Sequence, residues 1–270
     1  MNEFQPACAP HIIDLSEWLA TPGGQYVLAW ERARLAQLTA DIFGFNALQI
    51  GLPQLDTLAA NRMPHKFYGD SNLHPRAAVL NLSLAHDLAE LPFASHSLDL
   101  VVLPHVLEFL PEPHQLLREV ERVLIPEGQV IICGFNPASL WGLRQLSARL
   151  RGGKFLPQDG ELISMLRLKD WLKLLNMHVL RGHFGCYVPP VHSQKWLQRW
   201  AFMEGAGERW WPYFGAVYIV QAVKRVKGMH LIGPPWGVAR RSVGQGVAVG
   251  NTAGSLSEIE KRSDTRAGRG

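Results

Sequence analysis

Cysteine is scarce in this chain: Cys8, Cys133 and Cys186 are the three present, and they stand far apart. None falls in a CxxC or mixed Cys/His spacing, which excludes a disulfide scaffold or a zinc ribbon and predicts reduced thiols and a cytoplasmic protein. Long apolar runs are missing too. The longest candidate, Phe214 to Val223, is interrupted by Gln221, well short of the roughly 18 apolar residues a membrane span needs. The opening MNEFQPACAP has no basic stretch followed by an apolar run, so a signal peptide is not expected. No internal repeat is visible. No GxGxxG follows a predicted strand, which counts against a dinucleotide-dependent dehydrogenase.

What is present is enough apolar material for a core. Hydrophobic residues make up 47 % of 270 and charged residues 19 %, which predicts one large globular domain with extensions and excludes wholesale disorder. The net charge of +4 is uneven: from Arg225 onward there are eight basic and three acidic residues, which leaves the preceding chain close to neutral. The stretch after Lys227 is rich in Gly, Ser and Arg without any period. It predicts a basic, disordered tail over 225–270, and nucleic-acid binding by the core is not expected.

Patterning fills in the rest. The first forty residues read as a helical cap with a break at Pro22-Gly23-Gly24. Short strands are predicted over 45–51, 65–69 and 77–82, with a short helix over 56–62. Leu98 to Leu103 is apolar on both faces, as a central parallel strand should be. Leu116, Leu117, Val120, Val123 and Leu124 then form one helical stripe, opened near Pro113 and closed by Pro126 and Gly128. Strands over 130–134, 178–182 and 216–223 and helices over 139–150 and 168–175 complete the alternation, which predicts a parallel α/β sheet. The organisation expected is a cap over 1–40, a domain over 41–224 with a Trp-rich insertion at about 184–213, and the tail.

The segment from Asp87 to Gly134 carries a family resemblance. Asp87, Leu91-Pro92-Phe93, Leu98-Asp99, Val106-Leu107-Glu108 and Arg122-Val123-Leu124-Ile125-Pro126-Glu127-Gly128 occupy the places of five spaced motifs. Together they resemble the second half of a class I S-adenosylmethionine-dependent methyltransferase of the type 11 group, near the ubiquinone and menaquinone biosynthesis enzymes. The resemblance implies a Rossmann-like, mostly parallel seven-stranded sheet with helices on both faces and an antiparallel last strand. It also implies S-adenosylmethionine as co-substrate, a small aromatic or lipophilic acceptor, and no metal. An inactive binding or scaffolding protein on the same fold is the alternative.

Ligands of such sheets bind beyond the carboxyl ends of the strands, at the point where strand order reverses. The resemblance places Asp87 at the adenine amino group, with Leu88 flanking the ring; the residue alone is equally a turn or helix cap. Asp70, nineteen residues after Gly51, is the ribose candidate. His105 is a cofactor-side residue that is either a general base for an acceptor hydroxyl or a satisfied strand-end histidine. Glu108, Asn136, Trp141 and Tyr187 are acceptor-pocket candidates, with local pairing, a turn or packing as the plainer roles. Asp99, at the opposite end of its strand, is structural. Trp196, Leu197, Trp200 and Met203 make a stripe suited to a lid, a membrane-surface contact through Trp196 and Trp200, or core packing.

One motif departs from the pattern. The family's acidic–x–Gly–x–Gly–x–Gly is here Gln49-Ile50-Gly51-Leu52-Pro53-Gln54-Leu55. Only Gly51 keeps the freedom for close backbone approach, while Pro53 fixes φ and lacks an N–H. This loop is expected to limit cofactor affinity.

Overall fold

A computed structural model describes residues 12–70, 84–85, 88, 90–150, 156, 161–190, 194–200 and 202–225. The chain opens with two helices, α1 (Ile12–Leu19) and α2 (Pro22–Ala40). The break between them precedes Pro22, so the Pro22-Gly23-Gly24 run is the first turn of α2 and not an interruption. Thr21 caps that turn, its hydroxyl accepting from the Gly24 N–H at 3.2 Å, and Pro22 stands where no intrahelical donor is needed. Gly24 is a packing requirement: a Cβ there would lie 2.4 Å from the Leu19 backbone.

One sheet follows, from β1 (Asn46–Ile50), β2 (His65–Asp70), β3 (Leu84–Ala85), β4 (Leu98–Pro104), β5 (Leu124–Phe135), β6 (Met177–Gly185) and β7 (Val217–Lys224). Its order is β3-β2-β1-β4-β5-β7-β6. Six strands have five residues or more, and β3 is a two-residue pairing at the edge. The first five strands in sequence run parallel, whereas β7 is antiparallel to both β5 and β6. The remaining helices are α3 (Pro113–Val123), α4 (Leu140–Leu150), α5 (Met165–Leu174), α6 (Gln194–Arg199) and α7 (Phe202–Trp210).

Period-two alternation divides the core in two. Ile131, Cys133 and Phe135 of β5 face α1, α2 and Trp141 of α4, while Val130 and Ile132 face Leu116, Leu117 and Val120 of α3 and Leu168 and Leu172 of α5. Several sequence expectations shift. Residues 56–62 form turns, not a helix. The third strand lies at Leu84–Ala85, while 77–82 fall outside the described residues. α3 ends at Val123 and β5 begins at once; the register slips between Leu98 and Leu100, and Glu127 adopts φ 65°. Pro126 and Gly128 thus shape a bulge inside β5 instead of a loop before it.

Asp99 begins β4 at the amino end of the sheet. Its Oδ2 accepts from the backbone N–H of Phe45 and of Asn46, both at 2.9 Å, and so sets where β1 starts against β4. Asp99→Ala is expected to lower unfolding free energy by about 1.5–3 kcal/mol, read from the urea midpoint. Ligand binding at the opposite edge should not change.

Candidate functional site

Strand order reverses between β1 and β4, so their carboxyl ends flank the crevice where an open α/β sheet takes its ligand. Three left-handed residues meet there: Gly51 (φ 77°), Leu52 (φ 46°) and His105 (φ 52°). Gly51 cannot be replaced without cost, because a Cβ would lie 2.6 Å from Val106 Cγ2. Left-handed non-glycine residues persist only where their surroundings hold them, and both neighbourhoods here do.

At the β1 end the holder is Gln49. Its Oε1 accepts from the Thr57 N–H at 2.9 Å and the Thr57 hydroxyl at 2.7 Å. Its Nε2 donates to the carbonyls of Gly51 (3.2 Å), Leu52 (3.3 Å) and Leu55 (2.7 Å). An ionised carboxylate could not donate to those carbonyls, which is why an amide stands in the acidic place of the motif. Leu52, Leu55 and Leu58 are buried in the core shared with α2. The Asn61 amide donates to Thr39 and Ile42 carbonyls at 2.7 and 3.1 Å. The β1–β2 connection is therefore a core element fastened to the end of α2, and its leucines point inward.

His105 closes the β4 end. Nε2 meets Glu31 Oε1 of α2 at 2.7 Å, Nδ1 meets Glu108 Oε2 at 3.1 Å, and all three side chains are buried. Glu108 Oε1 also accepts from the Phe135 N–H, and the Phe135 ring lies 4.3 Å from the imidazole. Burial opposes the imidazolium, but Glu31 and Glu108 outweigh it and raise the His105 pKa to about 10. Glu108 is raised as well, chiefly by burial. The carboxylates grip opposite sides of the ring, and among the described residues no group of three His, Cys, Asp or Glu could hold a metal ion.

The other candidates are dispersed. Asp70 ends β2, but its side chain, like the whole of Asp87, lies outside the described residues; Leu88 is buried. Asn136 Nδ2 donates to the Tyr213 and Gly215 carbonyls at 2.8 and 3.0 Å and its Oδ1 accepts from Ala138 N–H, which makes it a turn brace. Trp141 is buried, with Nε1 donating to the Val188 carbonyl at 2.7 Å. Tyr187 donates to the Pro212 carbonyl at 2.8 Å and borders a cavity of about 450 Å³ with Arg34, His183, Phe184 and Tyr213. The Trp196–Met203 stripe is interrupted between α6 and α7: Leu197 is buried and Trp196 half exposed. Sequence reasoning missed Glu31, although its signal was present: a carboxylate four residues from both Val27 and Leu35, within the buried stripe of α2.

The His105 cluster gives a pH dependence of definite sign. A histidine whose folded pKa exceeds its unfolded value stabilises fully below about pH 6.5, and that contribution is lost as pH rises through about 10. The raised Glu108 acts in the same sense, starting from the ordinary carboxylate range. The urea midpoint should fall between pH 6.5 and pH 10, with a flatter profile in His105→Asn. Glu31→Ala leaves the imidazolium paired with Glu108 but its Nε2–H buried without an acceptor, and should cost about 1–3 kcal/mol.

Comparison with known proteins agrees with this geometry. Residues 68–132 match the family model for a methyltransferase domain. The Escherichia coli K12 protein YafS, itself uncharacterised, is 35 % identical over 181 residues, 66 % of this chain and 72 % of YafS. A SAM-dependent methyltransferase from Archaeoglobus fulgidus superposes with a TM-score of 0.52 at 18 % identity, covering 73 % of this chain and 94 % of that one. One from Thermotoga maritima gives 0.52 at 14 % identity, covering 74 % and 95 %. A chain from the complex of the Haloferax volcanii Trm112 methyltransferase activator with a candidate methyltransferase gives 0.55 at 16 % identity, covering 81 % and 99 %. With the sheet order, these matches show that the chain belongs to one family with YafS, carries a methyltransferase-domain match and has the Rossmann-like class I methyltransferase fold.

Proposed function

We propose that the chain transfers a methyl group from S-adenosylmethionine to a small aromatic or lipophilic acceptor at the carboxyl edge of β1 and β4. The observation that carries this reading is the strand order, with antiparallel β7 between β5 and β6 and left-handed Gly51 at the reversal point. The sulfonium of the co-substrate already carries an activated methyl group, so the chain's own residues bind and orient. In this reading Asp87 accepts from the adenine amino group, Leu88 flanks the ring, Asp70 takes the ribose, and the Gly51 backbone meets the methionine end. The missing Cβ of Gly51 lets Val106 pack against it, so the task falls to its backbone alone. His105, occupied on both nitrogens, serves as a positioning residue that fixes the end of β4.

A specific observation favours the alternative, an inactive binding or scaffolding protein. Gly51, Leu52, His105, Val106 and Leu107 are all buried, and α2 is tied over them through Glu31. Ligand entry must then part that contact.

Calorimetry with S-adenosylhomocysteine separates the readings: measurable binding is expected, with none for NAD, and no heat at millimolar ligand supports the inactive protein. Asp87→Ala should weaken binding by about 1.5–3 kcal/mol, the worth of a hydrogen bond to a charged group. The loop can be tested at Pro53, which is half-buried. Pro53→Gly returns a donor and backbone freedom and is expected to tighten binding. Leu55 is unsuited to the same change, because it is fully buried and its truncation would cost about 3–5 kcal/mol in a core cavity.

A further inference from the structure

The connection between β6 and β7 carries six of the eight exposed large aromatic side chains among the described residues: Trp196, Phe202, Trp210, Trp211, Tyr213 and Phe214, each 50–72 % exposed. Its backbone is nevertheless well fastened. Glu204 of α7 accepts from the N–H groups of Cys186 and Tyr187 at 2.9 and 3.1 Å and from the Tyr26 hydroxyl. The Pro212, Tyr213 and Gly215 carbonyls accept from Tyr187 and Asn136. The segment is held at the carboxyl ends of β5 and β6 while its rings face water, the arrangement of a surface built to meet something apolar.

Charge indicates what that is. Lys195, Arg199 and Arg209 lie exposed among the rings, and none of them pairs with an acid among the described residues. The segment's two acids are engaged, Glu204 inward and Glu208 with Arg34 at 3.1 Å. Arg199 stacks over Trp196 at 5.4 Å. A symmetric contact with a second copy would set these cations against each other. α4, which begins just after β5, packs its Trp141 against this connection at Val188 and exposes Leu140, Leu143, Leu146 and Leu150 on a separate face. No described helix is long and apolar enough to cross a membrane.

We infer that this end of the molecule docks on the surface of an anionic bilayer. The Trp and Tyr rings enter the boundary between headgroups and acyl chains, and Lys195, Arg199 and Arg209 meet the anionic headgroups. The inference does not depend on methyl transfer.

The test uses the full chain with vesicles of phosphatidylcholine, alone or mixed with phosphatidylglycerol. Co-sedimentation with the mixed vesicles is expected, falling as salt rises. Because the basic stretch after Lys227 can also attract anionic lipid, the decisive readout is quenching of tryptophan fluorescence by lipids brominated on the acyl chain. The triple variant Trp210→Ser, Trp211→Ser, Phe214→Ser should lose most of the quenching and partition about tenfold or more less strongly, whereas Trp236→Phe should keep both. Charge reversal at Lys195, Arg199 and Arg209 provides a second variant set and should reduce the acyl-chain quenching on anionic vesicles, even where the basic stretch after Lys227 still holds the protein to them. Unchanged binding and quenching in both sets would overturn the inference. So would a dimer in sedimentation velocity that the triple variant dissolves, since the rings would then be covered by protein. S-adenosylhomocysteine calorimetry on the same preparations keeps this outcome separate from the fate of the methyl-transfer reading.

Discussion

A buried imidazolium is the joint on which the carboxyl edge of this sheet depends. His105 takes one carboxylate from α2 and one from the turn after β4, and the second of these also receives a backbone donor from the end of β5. Three elements distant in sequence are thereby fixed to one ring, in a place where each charge has lost its water. Such a cluster contributes less by its net attraction than by the penalty for taking it apart. That penalty holds His105 in a left-handed conformation and keeps α2 over the reversal point. The fit is not complete: Glu31 Oε2 is buried without a hydrogen-bond partner, so the carboxylate is gripped through one oxygen.

The other side of the crevice solves the same problem with a neutral group. A parallel crossover from β1 to β2 usually runs through a helix, which satisfies its own backbone. Here the connection is turns, and its carbonyls need donors from elsewhere. Gln49 supplies them with one amide and uses the opposite end to hold Thr57. The same substitution that removes the family's acid thus permits a loop lined inward by Leu52, Leu55 and Leu58. Loss of the glycines and gain of the amide are one structural change.

This division explains what the sequence could disclose. The central strand at Leu98 and the stripe from Leu116 to Val123 are legible because burial repeats at the period of the element. Asp99 is legible because its place at the strand start sets it at the wrong edge for a ligand. Gln49 is legible as a departure but not as a solution, since its partners gather only once the crossover has formed. The helix expected over 56–62 fails because Asp56 and Asn61 hydrogen-bond neighbouring backbone groups and compete with helical pairing. Glu31 and His105 are 74 residues apart, and no local pattern records a pair at that separation. The unusual charge inside the stripe of α2 was the available trace.

The two halves of the edge meet at Phe135 and Asn136. The Phe135 N–H is held by Glu108, the carboxylate that also grips His105. One residue on, the Asn136 N–H donates to Ala216 at 2.8 Å, and its side chain ties the Tyr213 and Gly215 carbonyls. Consecutive residues at the end of β5 thus fasten the charged cluster on one side and the aromatic connection on the other. With both Nδ2 hydrogens given to carbonyls and Oδ1 accepting from Ala138, the Asn136 side chain serves as a brace between the end of β5 and the connection before β7. A displacement of the His105 cluster would reach the aromatic surface across a single peptide unit, and because the strand pairing of β5 with β7 continues directly below it, that unit has little freedom to absorb the movement.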